Sequence, residues 1–350
     1  MGEPSRQERA AYWRTAIGLQ AVDGLQTSEY LKEAALKHIE GEIDIDQARQ
    51  LIKTYYQSKV TREAIDDDQQ EADIVSANIT KILSSVSLDF SANGFIALHR
   101  RIFEGVLKHA GEIRHYDITK KEWVLDADTV NYLNWEDLYR ALEYDIEQER
   151  RFSYKNLSLE QQVMHIAQFV SGLWQIHPFG EGNTRTTAVF TILYLRHIGF
   201  SVKNDLFAER AWYFRNALVR ANYKNAIKGI DYSPIYLERF FRNLLMGEQW
   251  DLRNRYLHIS PTAEWRHQPQ LGVEEMVVTT EKTTEKTTEK STEAIILQAM
   301  RSNPYITQRE LAAKCGLTED GVYYVVSKLR KSGVVKRVGG RKLGHWEVLV

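Results

Sequence analysis

Residues 176 to 190 read IHPFGEGNTRTTAVF, and the nine positions from His177 to Arg185 hold a histidine, a glutamate, two glycines, an asparagine and an arginine. His177 is the only group there that can take a proton near neutral pH. Glu181 is a hard oxygen donor, suited to a magnesium ion that also binds phosphate oxygens. Gly182, Asn183 and Thr184 lie where a helix begins. Helix N-termini present unpaired N–H groups and a positive dipole end, a seat for an anion such as phosphate. Arg185, inside the first turn, adds a charge-assisted bond to phosphate oxygens. A base, a metal carboxylate and an anion-binding helix start together describe transfer of a phosphate-containing group. Each feature alone has a plainer reading. A His before Pro is commonly a turn residue, Gly-Asn is an ordinary turn pair, and Glu181 could be a solvated loop charge. Pro178 and Phe179 read as structural, with Phe179 plugging the core beneath the loop. The combination at fixed spacing favours chemistry, and no Walker lysine, strand-led Rossmann glycine pattern or paired zinc histidines compete with it.

Two helical runs must hold this loop. SLEQQVMHIAQFVSGLWQ puts Val163, Ile166, Ala167, Val170, Leu173 and Trp174 on one stripe. RTTAVFTILYLRHIGF is nearly continuously apolar, which predicts a central, buried helix. Upstream, SEYLKEAALKHIEG ends on a glycine cap at Gly41, DIDQARQLIKTYYQSK begins on an aspartate cap, and GFIALHRRIFEGVLKHAG closes on Gly111. IRHYDITKKEWVLDADTV alternates around a turn at Thr119 to Glu122 and reads as a β-hairpin. The body is therefore expected to be all-α with one hairpin.

The chain has 350 residues, 43% of them hydrophobic, with 18 tyrosines and 8 tryptophans, which suits a globular protein of two or three domains. Cys315 is the single cysteine, so no disulfide forms within the chain and a reducing compartment is expected. Without an 18-residue apolar run or an apolar leader, the expectation is a cytoplasmic protein with no membrane contact. The net charge of −1 hides an asymmetry: Ala294 to Val350 carry ten Lys/Arg against four Asp/Glu, +6, leaving −7 for the remainder. TTEKTTEKTTEK, residues 279 to 290, has nothing to bury and reads as a linker.

HPFGEGNTR resembles the Fic signature, His-x-Phe-x-Asp/Glu-Gly-Asn-x-Arg-x-x-Arg. LHRRIF, HAGEIRHYDI and WYFRNALVRANY are similar to flanking parts of Fic proteins, so the likeness covers roughly residues 65 to 258. It implies a mainly α fold, a helical bundle with a β-hairpin flap. The implied activity is transfer of AMP from ATP to a Ser, Thr or Tyr hydroxyl of a target protein. His177 would deprotonate that hydroxyl and Glu181 would hold Mg2+. Gly182, Asn183, Thr184 and Arg185 would cradle the phosphates, and Tyr213 and Asn216 would line the adenine pocket. The hairpin from Ile113 to Val130 would present the target segment by strand pairing. Two positions depart from the signature: Thr184 stands for Gly, and Ala188 stands where the family's last arginine clamps the γ-phosphate. UMP or phosphocholine transfer is the lesser enzymatic alternative.

LQAVDGL, residues 19 to 25, resembles the Fic inhibitory helix, with Leu19 in the Ser/Thr place, Asp23 in the Glu place and Gly24 matching. Its surroundings look like the small antitoxin domain, fused in cis. The inhibitory acid of the family pairs with the arginine that Ala188 replaces, so Asp23 is expected to lack a counter-charge and the switch to be weakened. KHIEG, with Glu40, is an alternative candidate. At the other end, a helix ending near Ser302, a second capped by Thr307 with Glu310 at capping-box spacing, a third from EDGVYYVV and a hairpin through Gly339-Gly340 resemble a winged helix. Tyr323, Tyr324, Lys328 and Arg330 would face duplex DNA, with Arg337, Arg341 and Lys342 in the wing. Val322, Val325, Val326 and Leu329 read as core. The expected domains are an antitoxin-like 1–62, a Fic domain 63–258, a linker 259–292 and a winged helix-turn-helix (α+β) 293–350. A rival reading is a transcriptional regulator that uses a degraded Fic body as nucleotide sensor; a homodimer stays open.

Overall fold

The computed structural model describes residues 3–58, 66–84, 87–202, 205–260, 295–315, 319–331, 333–338 and 345–349. The chain divides into two compact units, Met1–Pro269 and Gln270–Val350. Apart from residues 259 and 260, the expected linker lies outside the described residues.

The larger unit is helical. Helix α1 (Arg6–Gly18) starts on a capping box between Ser5 and Glu8 and runs into a 3-10 turn, Leu19–Asp23, that stops at Gly24. Helix α2 (Glu29–Glu40) ends on Gly41 in the left-handed conformation, and α3 (Ile45–Ser58) follows Asp44, whose carboxylate accepts from Gln47 N at 2.8 Å. Trp13, Leu31, Ala35, Ile52 and Tyr56 close a small core against Ala77 of α4 (Asp67–Ser84). Ala16, Leu19 and Val22 instead enter the main core. Leu19 and Val22 are completely buried, worth about 1.5–3 kcal/mol each. That burial pins the 3-10 turn, and Asp23 with it, against the central bundle.

The bundle comprises α5 (Ala92–Ile102), α6 (Leu138–Arg151), α7 (Leu159–Ile176), α8 (Asn183–His197), α9 (Asp205–Glu209), α10 (Ala211–Ala221) and α11 (Ile235–Met246). Every residue of α8 from Asn183 to Leu195 is buried, which is why its sequence lacks a polar face. The stripe on α7 from Val163 to Trp174 is buried as its spacing predicts.

Residues 113–130 do not form the expected β-hairpin. The segment folds back on itself, but its one regular element is the 3-10 turn Trp123–Leu125. Glu122 N donates to Asp128 O at 2.9 Å and Ala127 N to Glu122 O at 3.0 Å, a tight turn in which Asp126 and Ala127 take positive φ. The polar side chains of the segment bond elsewhere, one of them on the bundle. Arg114 donates to the carbonyls of Tyr116 and Leu133, and Glu122 pairs with Arg215 of α10.

The smaller unit has α12 (295–302), α13 (Gln308–Cys315), α14 (Glu319–Lys331) and an antiparallel pair, β1 (Val335–Val338) with β2 (His345–Val348), in register Val335 to Val348. Thr307 and Glu310 make the predicted capping box. Ile296, Met300, Leu311, Val322, Val326, Leu329, Val335 and Trp346 form its core, with Val325 partly buried against it. Lys328 and Arg330 are exposed on α14 and Tyr323 is half-buried; the guanidinium of Arg337 lies over Trp346 at 4.9 Å. Arg341, Lys342 and the side chain of Tyr324 lie outside the described residues. Among the described residues no helix is long and apolar enough to cross a membrane.

Candidate active site

The loop between α7 and α8 is fastened by its own side chains. Asn183 Oδ1 accepts from Phe179 N at 3.0 Å while its Nδ2 donates to Phe179 O at 2.7 Å. Trp174 Nε1 donates to Thr184 Oγ1 at 2.9 Å. Phe179 is buried and stacks on His99 with ring centroids 3.7 Å apart. Gly182 has φ +72°, and a Cβ there would land 2.2 Å from Phe103 Cζ, so only glycine serves. Asn183 and Thr184, expected among the phosphate ligands, thus spend their side chains on the loop. What they leave is the start of α8 with no side-chain cap, a set of N–H groups free for an anion.

His177 caps α7 in the left-handed conformation, φ 51°. Its carbonyl accepts from Arg114 Nε at 2.8 Å. Its Nδ1 lies 3.2 Å from Trp174 O, an acceptor, so Nδ1 carries the proton and Nε2 the lone pair. Nε2 is buried and has no hydrogen-bond partner among the described residues. Tyr132 lies over the ring at 4.1 Å, and its hydroxyl donates to Glu122 Oε1 at 3.3 Å. Glu122 Oε2 in turn meets Arg215 Nη1 at 2.7 Å. Burial, then the nearby charge of Lys120, holds the His177 imidazole well below its usual pKa, so it is neutral.

Arg185 is 3% exposed and held on every side. Its Nε meets Asp23 Oδ2 at 2.7 Å, its Nη2 meets Glu71 Oε1 at 2.6 Å, and its Nη1 donates to Gln20 Oε1 at 3.0 Å. The guanidinium also covers Phe103 at 4.7 Å. This corrects the expectation that Asp23 has no counter-charge. Ala188 is wholly buried in the main core and offers no charge, but the first-turn arginine reaches the same acid. The packing of Leu19 and Val22 brings the acid there, which no local pattern encodes. Glu40, the alternative acid, pairs with Arg6 at the surface. Glu181 is exposed, and no cation lies within ion-pair distance of its carboxylate among the described residues. Tyr213 donates to Tyr236 O at 3.2 Å and Asn216 Nδ2 to Asn254 Oδ1 at 2.8 Å; Asn216 Oδ1 is buried and has no partner among the described residues. Arg215, between them on α10, is the residue that points to His177's neighbours. Sequence reading missed Glu71, Gln20, Arg114, Lys120, Tyr132 and Arg215. Arg114 and Lys120 lay within the segment read as flap, Gln20 within LQAVDGL and Arg215 within WYFRNALVRANY, while Glu71 and Tyr132 carry no signal short of the fold.

His99 accepts from Gly111 N through Nδ1 at 2.8 Å and donates through Nε2 to Glu181 O at 3.1 Å. Burial pushes its pKa down to about 4. Its folded value is depressed, so the unfolded chain binds the proton first and stability should fall as pH drops from about 6.5 toward 4. The loss is about 1.4 kcal/mol per pH unit at most. Thermal melting across that window should show the slope, and His99→Gln should flatten it; an equal slope in the variant would assign the effect to other groups.

Residues 89–195 match the model of the Fic/DOC family, and residues 293–336 match that of the winged helix-turn-helix DNA-binding family. No curated protein matches the chain. Among solved structures, the chain is similar to a Fic family protein from Desulfovibrio desulfuricans G20, at 11% identity over 97% of this chain and 87% of that one, TM-score 0.41. It is also similar to the N-terminal Fic domain of a Bartonella effector protein from Bartonella sp. AR 15-3, at 17% identity over 52% and 85%, TM-score 0.39. BepC from Bartonella tribocorum, solved with bound AMPPNP, matches at 16% identity over 52% and 90%, TM-score 0.39.

Proposed function

We propose that this chain, which carries a Fic/DOC-family domain and a winged helix-turn-helix, transfers AMP from ATP to a hydroxyl side chain of a target protein. The observation that carries this reading is His177: a neutral imidazole whose Nε2 lone pair has no partner, next to an uncapped helix start. The hydroxyl gives its proton to Nε2 while its oxygen bonds to the α-phosphorus. The bond from that phosphorus to the bridging oxygen breaks, and pyrophosphate leaves with the electron pair. Tyr132 and the Arg114 bond to the His177 carbonyl hold the imidazole in place. The N–H groups at the start of α8 receive phosphate oxygens, and Arg185 adds charge once released from Asp23. Asn216 Oδ1, an acceptor without a partner, suits the exocyclic amine of adenine.

The donor set fits magnesium. One free carboxylate, Glu181, leaves the remaining positions to phosphate oxygens and water, the usual manner of holding this ion. Bound there, Mg2+ would neutralise charge on the phosphates. Incubating the full chain with each labelled nucleoside triphosphate and magnesium tests the reading. AMP-labelled protein is expected, and label from UTP alone would shift the substrate to UMP transfer.

The second reading, a nucleotide-sensing transcriptional regulator, draws on Ala188 and on the basic C-terminal unit. It shares one expectation with the first. Duplex DNA should bind chains containing residues 293–350, with affinity falling steeply as salt rises, and should ignore a chain ending near residue 260. Gel shifts at two salt concentrations decide it; DNA binding by the shorter chain would place the contact in the Fic body.

A further inference from the structure

Three rings meet at the base. Tyr132 lies tilted against the His177 imidazole, and Trp174 stands perpendicular to it with centroids 5.1 Å apart. Tyr132 and Trp174 also meet each other, edge to face, at 5.6 Å. Trp174 is held by its bond to Thr184 across the loop. Tyr132 is held from the other side. The carbonyl of its neighbour Asn131 accepts from Gln175 Nε2 at 3.1 Å, and its own hydroxyl donates to Glu122. Burial raises the pKa of that phenol, so it keeps its proton and remains a donor. Glu122 is itself 1% exposed and doubly fixed. Its carboxylate pairs with Arg215 of α10, and its backbone carbonyl accepts from Leu125 N and Ala127 N, both at 3.0 Å. Arg215 in turn covers the ring of Trp212 at 5.0 Å. A continuous path of side-chain contacts therefore runs from α10 through Arg215, Glu122 and Tyr132 to the imidazole.

A buried ion pair is a poor source of stability, since apolar residues of like volume often serve as well. What this pair supplies is geometry: with one oxygen on Arg215, the carboxylate offers the other in one place. His177 needs such support. Among the described residues its ring makes one hydrogen bond, from Nδ1 to Trp174 O at 3.2 Å. A half-turn about Cβ–Cγ would put Cε1 where Nε2 stands and carry the lone pair away. We propose that Glu122 is a positioning residue for His177: paired with Arg215, it holds Tyr132 against the imidazole and fixes where the Nε2 lone pair lies. That this sets a reaction rate rests on the transferase reading above; the fixing of the ring rests on the contacts alone.

Two measurements on the full chain test this. One is the pair of ring-nitrogen resonances of His177 in isotope-labelled protein, identified by their loss in His177→Asn. The other is the rate of AMP labelling as ATP is varied. The parent should show a protonated Nδ1 and a bare Nε2, well separated at neutral pH. Tyr132→Phe keeps the ring and drops the hydroxyl; Glu122→Leu with Arg215→Leu removes the pair without leaving a lone charge. Both changes should draw the two resonances together and lower kcat at least about tenfold, with KM for ATP within about twofold, as lost alignment does. Glu122→Gln with Arg215→Gln keeps an acceptor for the Tyr132 hydroxyl and should recover kcat to within about threefold of the parent. Melting curves check folding, and Tyr132→Phe carries the test if the leucine pair does not fold. Resonances and kcat like the parent's in Tyr132→Phe, with or without a lower melting temperature, overturn the proposal. So does a glutamine pair as impaired as the leucine pair. If the resonances respond but no nucleotide labels any protein, the positioning stands and the transferase reading falls. If label appears while Tyr132→Phe keeps the parent's resonances and kcat, the reverse holds.

Discussion

Replacing His177 by Ala or Asn should reduce transfer about a hundred- to ten-thousandfold, the usual worth of a positioned general base. ATP affinity should stay within about twofold in both, since the proposed phosphate seats, the start of α8 and Arg185, do not involve the imidazole. The pair of variants separates chemistry from folding. His177 sits at φ 51°, a conformation that asparagine tolerates better than alanine. His177→Asn therefore keeps the cap of α7 while removing the lone pair that accepts the proton. Labelling rates and ATP titrations measured on one preparation give both readouts. Residual labelling near the parent rate in His177→Asn would remove the histidine from the reaction and leave the loop a nucleotide-binding element only. Because burial holds the imidazole neutral, protonation of His177 should not limit the rate between about pH 8 and pH 6.

Asp23→Asn should raise transfer by about tenfold or more, a barrier change near 1.4 kcal/mol, and tighten ATP binding. This reverses what the residue patterns alone suggested, a switch weakened because Asp23 lacks a counter-charge. The reason is the 2.7 Å pair between Asp23 and Arg185. In this arrangement the arginine that would serve phosphate is turned to protein carboxylates, and neutralising one of them loosens it. Glu71, 2.6 Å from the other side of the guanidinium, keeps Arg185 partly held. Asp23→Asn combined with Glu71→Gln should therefore exceed the sum of the single effects, as expected for residues sharing one partner. Double-mutant measurements of transfer and of ATP affinity check this. A rate within twofold of the parent in Asp23→Asn would mean that the ion pair does not restrain the site.

Local patterns were enough to place the helices around the loop. The stripe on α7, the apolar run of α8, the Gly41 cap and the Thr307–Glu310 box depend on neighbours within one or two turns, and the structure has them where the spacing puts them. The chemistry-bearing cluster was legible for the same reason: His177 to Arg185 is contiguous, so its residue types could be read together. The winged helix-turn-helix at the C-terminus followed from caps, glycines and a charge balance, all local or compositional. Tertiary packing decided the rest. IRHYDITKKEWVLDADTV alternates as a hairpin should, yet Arg114 bonds carbonyls within and just after it, Glu122 pairs with Arg215 of α10, and no ladder forms. Asn183 and Thr184 suit phosphate by type, but the loop they belong to uses their side chains to close itself. The partner of Asp23 depends on where burial of Leu19 and Val22 sets a 3-10 turn against a helix far along the chain, Gln20 and Arg185 being 165 residues apart. Contacts at that separation are chosen by the whole core, since many residues must be excluded from water together before any one such pair can form.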